Sequence, residues 1–245
     1  MLKIFRRIRQ KLISKNSFRK YLVYAIGEIV LVVIGILIAL QINNLNEDKK
    51  DRNFEIKMLS EIERTLETDK DYIQKMLKRL EKLDSTSNYF MELSKRNVLY
   101  HDSIFFKIFS LNRGISYYIN SGPYQAVKSV GIDKISNDSL RNKLINFYDF
   151  DLPRYEDNFK HTNRNYREDI ETLLKLLGDR YINNNNDINF IAYKNIPLNI
   201  FQQQEFLEIL SNINWRSGSS KQIYKTTFEE LENLIQEVKQ EIKHD

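Results

Sequence analysis

Residues 21–42 form an apolar run, and it constrains the chain more than any other feature of the sequence. The run contains fourteen Leu, Ile and Val residues and a single charged residue, Glu28. A helix needs about 20 apolar residues to cross the hydrocarbon core of a bilayer. Inserting the fourteen aliphatic residues contributes roughly −4 to −8 kcal/mol, whereas one carboxylate costs up to about 3 kcal/mol. The run therefore predicts a transmembrane helix even if Glu28 is ionised.

The charges before this run predict its orientation. No acidic residue lies in residues 1–20, but eight basic residues do: Lys3, Arg6, Arg7, Arg9, Lys11, Lys15, Arg19 and Lys20. Because basic segments stay on the cytoplasmic side, we expect residues 1–20 in the cytoplasm and residues 43–245 outside it. No small-x-small cleavage site follows the run, so an uncleaved signal anchor is favoured over a removable signal peptide. The basic tail also has apolar residues at helical spacing, which suits a helix on an anionic bilayer surface, although a role in topology alone is the simpler interpretation.

The net charge of +5 belongs to this tail and not to the outer domain. Eight of the 38 basic residues precede residue 21, and one of the 33 acidic residues lies in the apolar run, so residues 43–245 carry 30 basic and 32 acidic residues. A domain with this balance is not expected to bind nucleic acid. Cysteine is absent, which excludes disulfides and thiolate metal sites and is compatible with an oxidising compartment. No metal and no cofactor is predicted.

The outer domain is predicted to be all-α, an antiparallel helical bundle that follows the transmembrane helix. Residues 43–53 are polar and predict a solvated helical extension. An apolar stripe then recurs at steps of three and four residues, with Asp69 as its only interruption; it comprises Leu59, Ile62, Leu66, Ile73, Met76, Leu80 and Leu83. That spacing is also compatible with a parallel coiled coil. However, Tyr72 and Leu77 widen the stripe beyond a coiled-coil seam, which favours packing within the same chain.

The remaining helices are delimited by caps and breakers. Ser121 to Pro123 is expected to open a short helix that ends before Gly131, and Ser136 or Asn137 to cap the next one. Pro153 is expected to interrupt that helix. Residues 183–197 are interpreted as a loop with a short extended piece at 188–193. The run Ser217-Gly218-Ser219-Ser220 predicts a turn between helices at residues 202–213 and 222–243.

Candidate chemistry in the outer domain is sparse. His101, His161 and His244 are scattered, and no catalytic or phosphate-binding motif occurs. Carboxylates near aromatic residues between Asp149 and Asp157 are of the type used in acid–base catalysis, but a polar corner at Pro153 explains them more simply. Three tyrosines are candidates for a ligand pocket or, more simply, for core packing: Tyr117, Tyr118 and Tyr124.

Glu28 is the strongest single candidate, because an ionisable group inside a membrane is usually functional. At helical spacing it shares a face with Gly35 and Ala39, a small-x3-small pair that lets two helices approach closely. Three interpretations stay open. Glu28 hydrogen-bonds across a homo-oligomer formed by the transmembrane helix, it contacts another membrane protein, or it lies near enough to the cytoplasmic end to be hydrated.

The sequence of the anchor resembles a known family. Residues 20–44 read KYLVYAIGEIVLVVIGILIALQINN, and weaker similarity continues through Tyr124-x3-Lys128-Ser129-x-Gly131 and Asn137-x2-Leu140-Arg141-x2-Leu144. These segments are similar to an uncharacterised bacterial family of single-pass membrane proteins, classed as a domain of unknown function. Its members often carry Trp where this chain has Leu45. The resemblance implies a bacterial inner-membrane location with a periplasmic helical domain, and it implies no activity.

Together these features predict a membrane-anchored, non-catalytic envelope module for interaction or sensing. The alternative is a membrane-tethered hydrolase or glycan-processing enzyme that uses the carboxylates near Asp149 to Asp157. An enzyme of that kind requires a concave pocket with convergent carboxylates, whereas an interaction module does not.

Overall fold

The computed structural model describes residues 18–185 and 188–243, which are mostly helical. Their α-helices are α1 (Phe18–Lys95), α2 (Phe105–Phe109), α3 (Gly122–Val130), α4 (Asp138–Ile145), α5 (Leu152–Leu176) and α6 (Gln204–Lys243). A two-stranded antiparallel sheet consists of β1 (Asp179–Asn185) and β2 (Ile188–Lys194). The expectation of an all-α fold is confirmed apart from this small sheet. The chain divides into two units, Met1–Ile56 and Lys57–Asp245.

In the first unit, α1 exposes an almost continuous apolar surface. Sixteen large apolar side chains between Leu22 and Leu45 are each 46–67% exposed. The most apolar stretch of α1 has a mean hydropathy of 2.7, and none of it is buried. By length and composition, α1 is the one helix in the described residues able to cross a membrane. Residues 43–51 continue the helix with exposed, mainly polar side chains, as the sequence predicts.

In the second unit, the apolar stripe of α1 packs against the same chain. Six of its seven aliphatic residues are buried in the core, and Met76 is partly buried against it. Polar contacts show how α6 lies along α1. Ser87 Oγ donates to the carbonyl of Leu210 at 3.1 Å, whereas Lys239 Nζ reaches Glu67 Oε1 at 2.8 Å. Residue numbers rise along one helix as they fall along the other, so the two helices are antiparallel.

Helix α5 packs antiparallel to α6 in the same way. Tyr155 near the start of α5 donates to Glu230 Oε1 at 3.0 Å, and Asn212 near the start of α6 donates to Asp169 Oδ1 at 3.2 Å. Asp169 also forms an ion pair with Arg216. The long helices thus form the antiparallel bundle expected from the wide apolar stripe.

The turn predicted at residues 217–220 is wrong, because α6 runs through them without a break. Ser217 and Ser220 are buried, and Ser217 Oγ donates to the carbonyl of Leu80 at 3.4 Å. Small hydroxyl side chains let α6 approach α1 closely here. Ser and Gly typify turns when they face water, but in this bundle their small size fits a helix–helix contact.

Short helices and turns connect the end of α1 to α5. As predicted, α3 begins after Ser121 with Pro123 in its first turn and ends at Gly131, whose φ is +136°. Asn137 caps α4, because its side-chain oxygen accepts a hydrogen bond from the amide of Leu140 at 3.1 Å. Further single turns of 3₁₀ helix are Asp102–Ile104, Ser110–Arg113, Ile132–Lys134 and Ile200–Gln202.

Pro153 does not interrupt the helical path but lies in the first turn of α5. A π-helical turn, Asn146–Asp151, joins α4 to α5, and the amide of Leu152 bonds to the carbonyl of Phe147 five residues earlier. Proline has no amide hydrogen, and its ring clashes with the carbonyl four residues before it. The wider turn therefore accommodates Pro153 and rotates the side chains that precede it.

The sheet is a hairpin between α5 and α6. Asp179 pairs with Lys194 and Asn185 with Ile188. The extended piece predicted at residues 188–193 is confirmed, but β1 was not predicted, and its last residues, Asn183 to Asn185, lie in the stretch interpreted as a loop. Gly178 precedes the hairpin at a φ of +87°, and a Cβ added there would lie 2.5 Å from the carbonyl oxygen of Lys194. Glycine is therefore required at this position.

Candidate functional site

Asp69 is a buried carboxylate on the core face of α1. Its residue is 4% exposed, and its Oδ2 accepts a hydrogen bond from the backbone amide of Asn120 at 3.0 Å. Burial raises the pKa of Asp69 to about 6, and the hydrogen bond from Asn120 offsets part of that effect. Asp69 thus occupies one position of the aliphatic stripe, and its hydrogen bond to Asn120 holds the segment just before α3 against α1.

A stacked tyrosine pair lies close to this carboxylate. The rings of Tyr124 on α3 and Tyr148 in the π-helical turn are 4.5 Å apart and nearly parallel, at 13°. Burial raises the pKa of Tyr148, and the negative charge of Asp69 raises it further. Both phenols therefore stay protonated in neutral solution and are available as hydrogen-bond donors.

The second carboxylate of this cluster is Asp149. Its Oδ2 accepts hydrogen bonds from the Tyr124 hydroxyl at 2.8 Å and from Lys128 Nζ at 2.7 Å. Burial alone would raise the pKa of Asp149, but the hydrogen bonds from Lys128 and Tyr124 outweigh it and hold that pKa below its usual range. We name Asp69, Tyr124, Lys128, Tyr148 and Asp149 the polar cluster. Its contacts join α1, α3 and the π-helical turn.

The π-helical turn explains how this cluster is assembled. A π-turn widens the helix, so the side chains within it depart from an α-helical register. Tyr148 is buried against Tyr124, and the carboxylate of the next residue, Asp149, accepts a hydrogen bond from the Tyr124 hydroxyl. Turns of this type occur frequently at functional sites, and this one places two polar side chains against α3.

A second feature is a groove of about 710 Å³ between the segment around α2 and strand β2. We name it the aromatic groove; its lining residues are Tyr100, Asp102, Phe105, Phe106, Phe109, Ile191, Ala192, Tyr193 and Ile196. The rings of Phe105 and Tyr193 join its two walls with their centroids 5.9 Å apart. Phe106 is 82% exposed. Sites for small ligands have this size and this apolar, aromatic lining.

The three candidate tyrosines do not form a pocket together. Tyr117 stacks on Phe159 at 4.7 Å, and its hydroxyl lies 3.0 Å from that of Thr227. Tyr124 belongs to the polar cluster, and Tyr118 is 62% exposed. Core packing, the simpler of the two interpretations, describes Tyr117 and Tyr124.

The carboxylates between Asp149 and Asp157 are not brought together at a concave site. Asp149 is held by Lys128 and Tyr124, and Asp151 pairs with Arg154 at 2.8 Å. Asp157 lies at the surface, 3.8 Å from His161. None of these carboxylates lines the aromatic groove. Their geometry gives no support to acid–base catalysis.

The other sequence candidates lie elsewhere. Glu28, Gly35 and Ala39 are exposed on α1, and among the described residues nothing apart from the adjacent backbone of α1 lies within 4 Å of a Cβ added at Gly35. Of the basic tail, Arg19 and Lys20 lie in α1; Lys3, Arg6, Arg7, Arg9, Lys11 and Lys15 lie outside the described residues, as does His244. No group of three or more His, Cys, Asp or Glu residues arranged for a metal ion occurs in the described part of the chain.

Comparison with known proteins identifies the family. A model described as a family of unknown function, DUF6090, matches residues 28–156, which is more than half of the 245 residues. The chain belongs to the DUF6090 family. The predicted relation to a family of unknown function is confirmed, whereas bacterial origin and a single membrane pass stay predictions. No curated protein and no solved structure matches the chain.

The DUF6090 match separates the two features. All five residues of the polar cluster lie within residues 28–156. The aromatic groove is only half within the match, because Tyr100 to Phe109 are covered and the β2 wall is not. Since DUF6090 has no assigned activity, the family adds no role to either feature.

The sequence singles out Asp69, Tyr124 and Asp149 separately, but it predicts neither the polar cluster that joins them nor the aromatic groove. Asp69 is the only polar residue at the stripe positions from Leu59 to Leu83. A carboxylate at such a position is expected to be buried, and a buried carboxylate has either a structural or a functional role. Its partner Asn120 lies 51 residues further along and has no distinguishing signal. The groove joins residues 100–109 to residues 191–196, and no local pattern links the two segments.

Proposed function

We propose that this DUF6090 protein is a signal-anchored, single-pass membrane protein whose helical domain forms a non-catalytic interaction or sensor-like module outside the cytoplasm. One observation carries the proposal. Sixteen large apolar side chains between Leu22 and Leu45 are about half exposed, and none of the most apolar stretch of α1 is buried within the described residues. Leaving them in water would cost on the order of 20 kcal/mol at the usual value for each side chain. Soluble monomers rarely expose a continuous patch of this size.

A bilayer is the covering that fits this surface. The apolar run matches the thickness of a hydrocarbon core, and its helical backbone satisfies its own hydrogen bonds. The eight basic residues of the tail support a cytoplasmic N-terminus, and the absence of an excess of basic residues after Ile42 supports translocation of the remainder. On this basis the outer domain is periplasmic in a bacterium, anchored to the inner membrane.

An interaction module is favoured over an enzyme by the arrangement of the polar groups. The carboxylates of the polar cluster are engaged by donors of the same chain, at 3.0 Å for Asp69 and 2.7 Å for Asp149. A general acid or base must instead present its carboxyl to a substrate within a pocket. Lipid is the first partner in this proposal, and a second copy or another membrane protein that contacts the face of Glu28, Gly35 and Ala39 is the next.

Topology is tested with two reporters fused to the full chain after Asp245. A fluorescent protein that matures only in the cytoplasm should stay dark, and a phosphatase that folds only in the periplasm should be active. A matched control fuses the fluorescent protein before Met1, where it should be bright. The protein should also stay in the membrane fraction after alkaline extraction. A bright C-terminal fusion overturns the orientation, and release by alkali overturns the anchor.

A further inference from the structure

We propose that the aromatic groove binds a small organic cation, in which an ammonium group is carried on an aromatic or branched alkyl group. The proposal adds a ligand class to the interaction module proposed above. The proposal rests on the shape of the groove and on the charge of the residues that line it. All of these residues lie within residues 57–245.

The shape and the apolar lining make the groove a binding site. Phe106, at 82% exposure, and Phe109, at 41%, project from one short helix, α2, and Ile191 on β2 is 49% exposed. Side chains of this type gain free energy when a ligand covers them. The site is largely formed without a ligand, because Phe105 stacks on Phe109 at 6.2 Å and contacts Tyr193 across the groove. A preformed site loses little conformational entropy on binding.

The charge of the lining selects a cation. Asp102 is the only charged residue among the nine that line the groove. Asp102 interacts electrostatically with the hydroxyl of Tyr100, which is a hydrogen-bond donor. Burial raises the pKa of Tyr100 to about 12, with a further contribution from Asp102, so this donor stays protonated at neutral pH. Asp102 therefore gives the groove lining a formal negative charge, and no basic residue is among the lining residues.

The aromatic rings add to this selectivity. The face of an aromatic ring attracts a cation, most strongly where water is excluded. The same region already contains such a contact, because Lys107 Nζ lies 3.6 Å from the centroid of the Tyr89 ring. An ammonium group in the groove would meet the rings of Tyr100, Phe105 or Tyr193 and the carboxylate of Asp102. An anion would meet the same negative ring faces and be repelled.

Basic residues near the groove act in the opposite direction; Lys107 and Lys194 adjoin lining residues in the sequence, and Arg180 lies across the hairpin. Arg180 lies opposite Tyr193 in the hairpin register and slightly lowers the pKa of that tyrosine, which burial raises. Arg180 does not line the groove. Its positive charge should weaken cation binding, so Arg180→Gln is expected to strengthen it. A higher cation affinity in the Arg180→Gln variant distinguishes a groove that selects by charge from one that binds through apolar contacts alone.

The test uses the full chain in nanodiscs of phosphatidylcholine, a lipid without net charge. Three fluorinated probes of similar size differ in charge: 4-fluorobenzyltrimethylammonium, 4-fluorobenzyl alcohol and 4-fluorobenzenesulfonate. Binding is measured by ¹⁹F NMR line broadening, with empty nanodiscs as the blank. We expect the cation to bind about tenfold more tightly than the alcohol, since cation–π contacts and one carboxylate together supply a difference of that order. The sulfonate should show the weakest binding.

Matched variants locate the site. Phe106→Ser and Asp102→Asn alter exposed residues of the groove, and each should weaken cation binding about five- to tenfold. Phe150→Ser and Asp157→Asn alter exposed residues outside the groove and should leave binding unchanged. Circular dichroism verifies that each variant is folded.

Each outcome decides one claim. Equal binding of the cation and the alcohol overturns the ligand class but leaves the groove as a binding site. Absence of binding by all three probes, or equal loss of affinity in the control variants, overturns the groove as a site. Neither result bears on the membrane topology, which the reporter fusions test separately.

Discussion

Replacing Asp69 with asparagine should stabilise the outer domain at neutral pH and leave its stability nearly unchanged in acid. The carboxylate is buried in the core face of α1, and burial raises its pKa from 3.8 to about 6. The folded state therefore binds a proton that the unfolded state releases between these two pH values. The contribution of Asp69 to stability is fully present below about pH 4 and is lost as the pH rises through about 6.

The size of this effect follows from the shift. A difference of about two pKa units corresponds to about 3 kcal/mol of lost stability above pH 6, which is an upper limit because solvent screens part of the charge. We expect the Asp69→Asn variant to gain about 1–2 kcal/mol over wild type at pH 8. Its side-chain oxygen can still accept the hydrogen bond from the amide of Asn120, which lies 3.0 Å from Asp69 Oδ2.

The assay is urea unfolding of residues 57–245, followed by circular dichroism at pH 4, 6 and 8. This fragment is one compact unit and should unfold cooperatively by itself. Asp69→Leu is the informative companion, because it removes the charge and also leaves the Asn120 amide without its acceptor, so it should be less stable than Asp69→Asn at every pH. Asp157→Asn is the surface control and should behave as wild type. If Asp69→Asn gains as much at pH 4 as at pH 8, or loses stability at pH 8, the reasoning is refuted.

Two further predictions concern glycines on the long helices. Gly218 lies inside α6, and a Cβ added there would meet no atom within 4 Å beyond the adjacent backbone of the helix. Gly218→Ala should therefore raise the free energy of unfolding by about 0.5–1 kcal/mol, measured by the same urea titration. A loss of stability would show that the helix is interrupted at this position. Gly35→Ile should weaken self-association of a peptide of residues 15–48 in a transmembrane association assay, because it blocks close approach on the face of Glu28. The Glu28→Gln peptide should keep most of the association. Gly27→Ile changes a residue away from that face and should weaken association less than Gly35→Ile. A monomeric wild-type peptide would contradict the oligomer hypothesis.

Much of the fold was predictable because its signals are local. The aliphatic spacing from Leu59 to Leu83 reports a helix face directly, and Asn137 caps α4 as its position before an apolar helical pattern suggests. The turn at residues 217–220 was predicted wrongly because composition does not reveal what a serine faces. Ser217 and Ser220 are buried against α1, and only the tertiary structure shows this.

Strand β1 and the pairings within the two candidate features were not predictable for a related reason. β1 includes Asn183 to Asn185, residues that disfavour strands, and it is held by its register with β2. The Asp69–Asn120 and Tyr124–Asp149 contacts join segments 51 and 25 residues apart. A local pattern predicts which residues are available for a site, but the packing of the helices decides which of them meet.

The boundaries of the DUF6090 match do not coincide with the boundaries of a stable domain. The match ends at residue 156, within α5, whereas the buried stripe of α1 packs against α6, which begins at Gln204. Ser87 bonds to Leu210, and Lys239 reaches Glu67 near the other end of the stripe, so both ends of this packing need residues beyond the match. Residues 28–156 alone would expose the aliphatic core face of α1 to water. All residues of the polar cluster therefore lie in the matched segment, but the folded state that brings them together depends on the packing of α6.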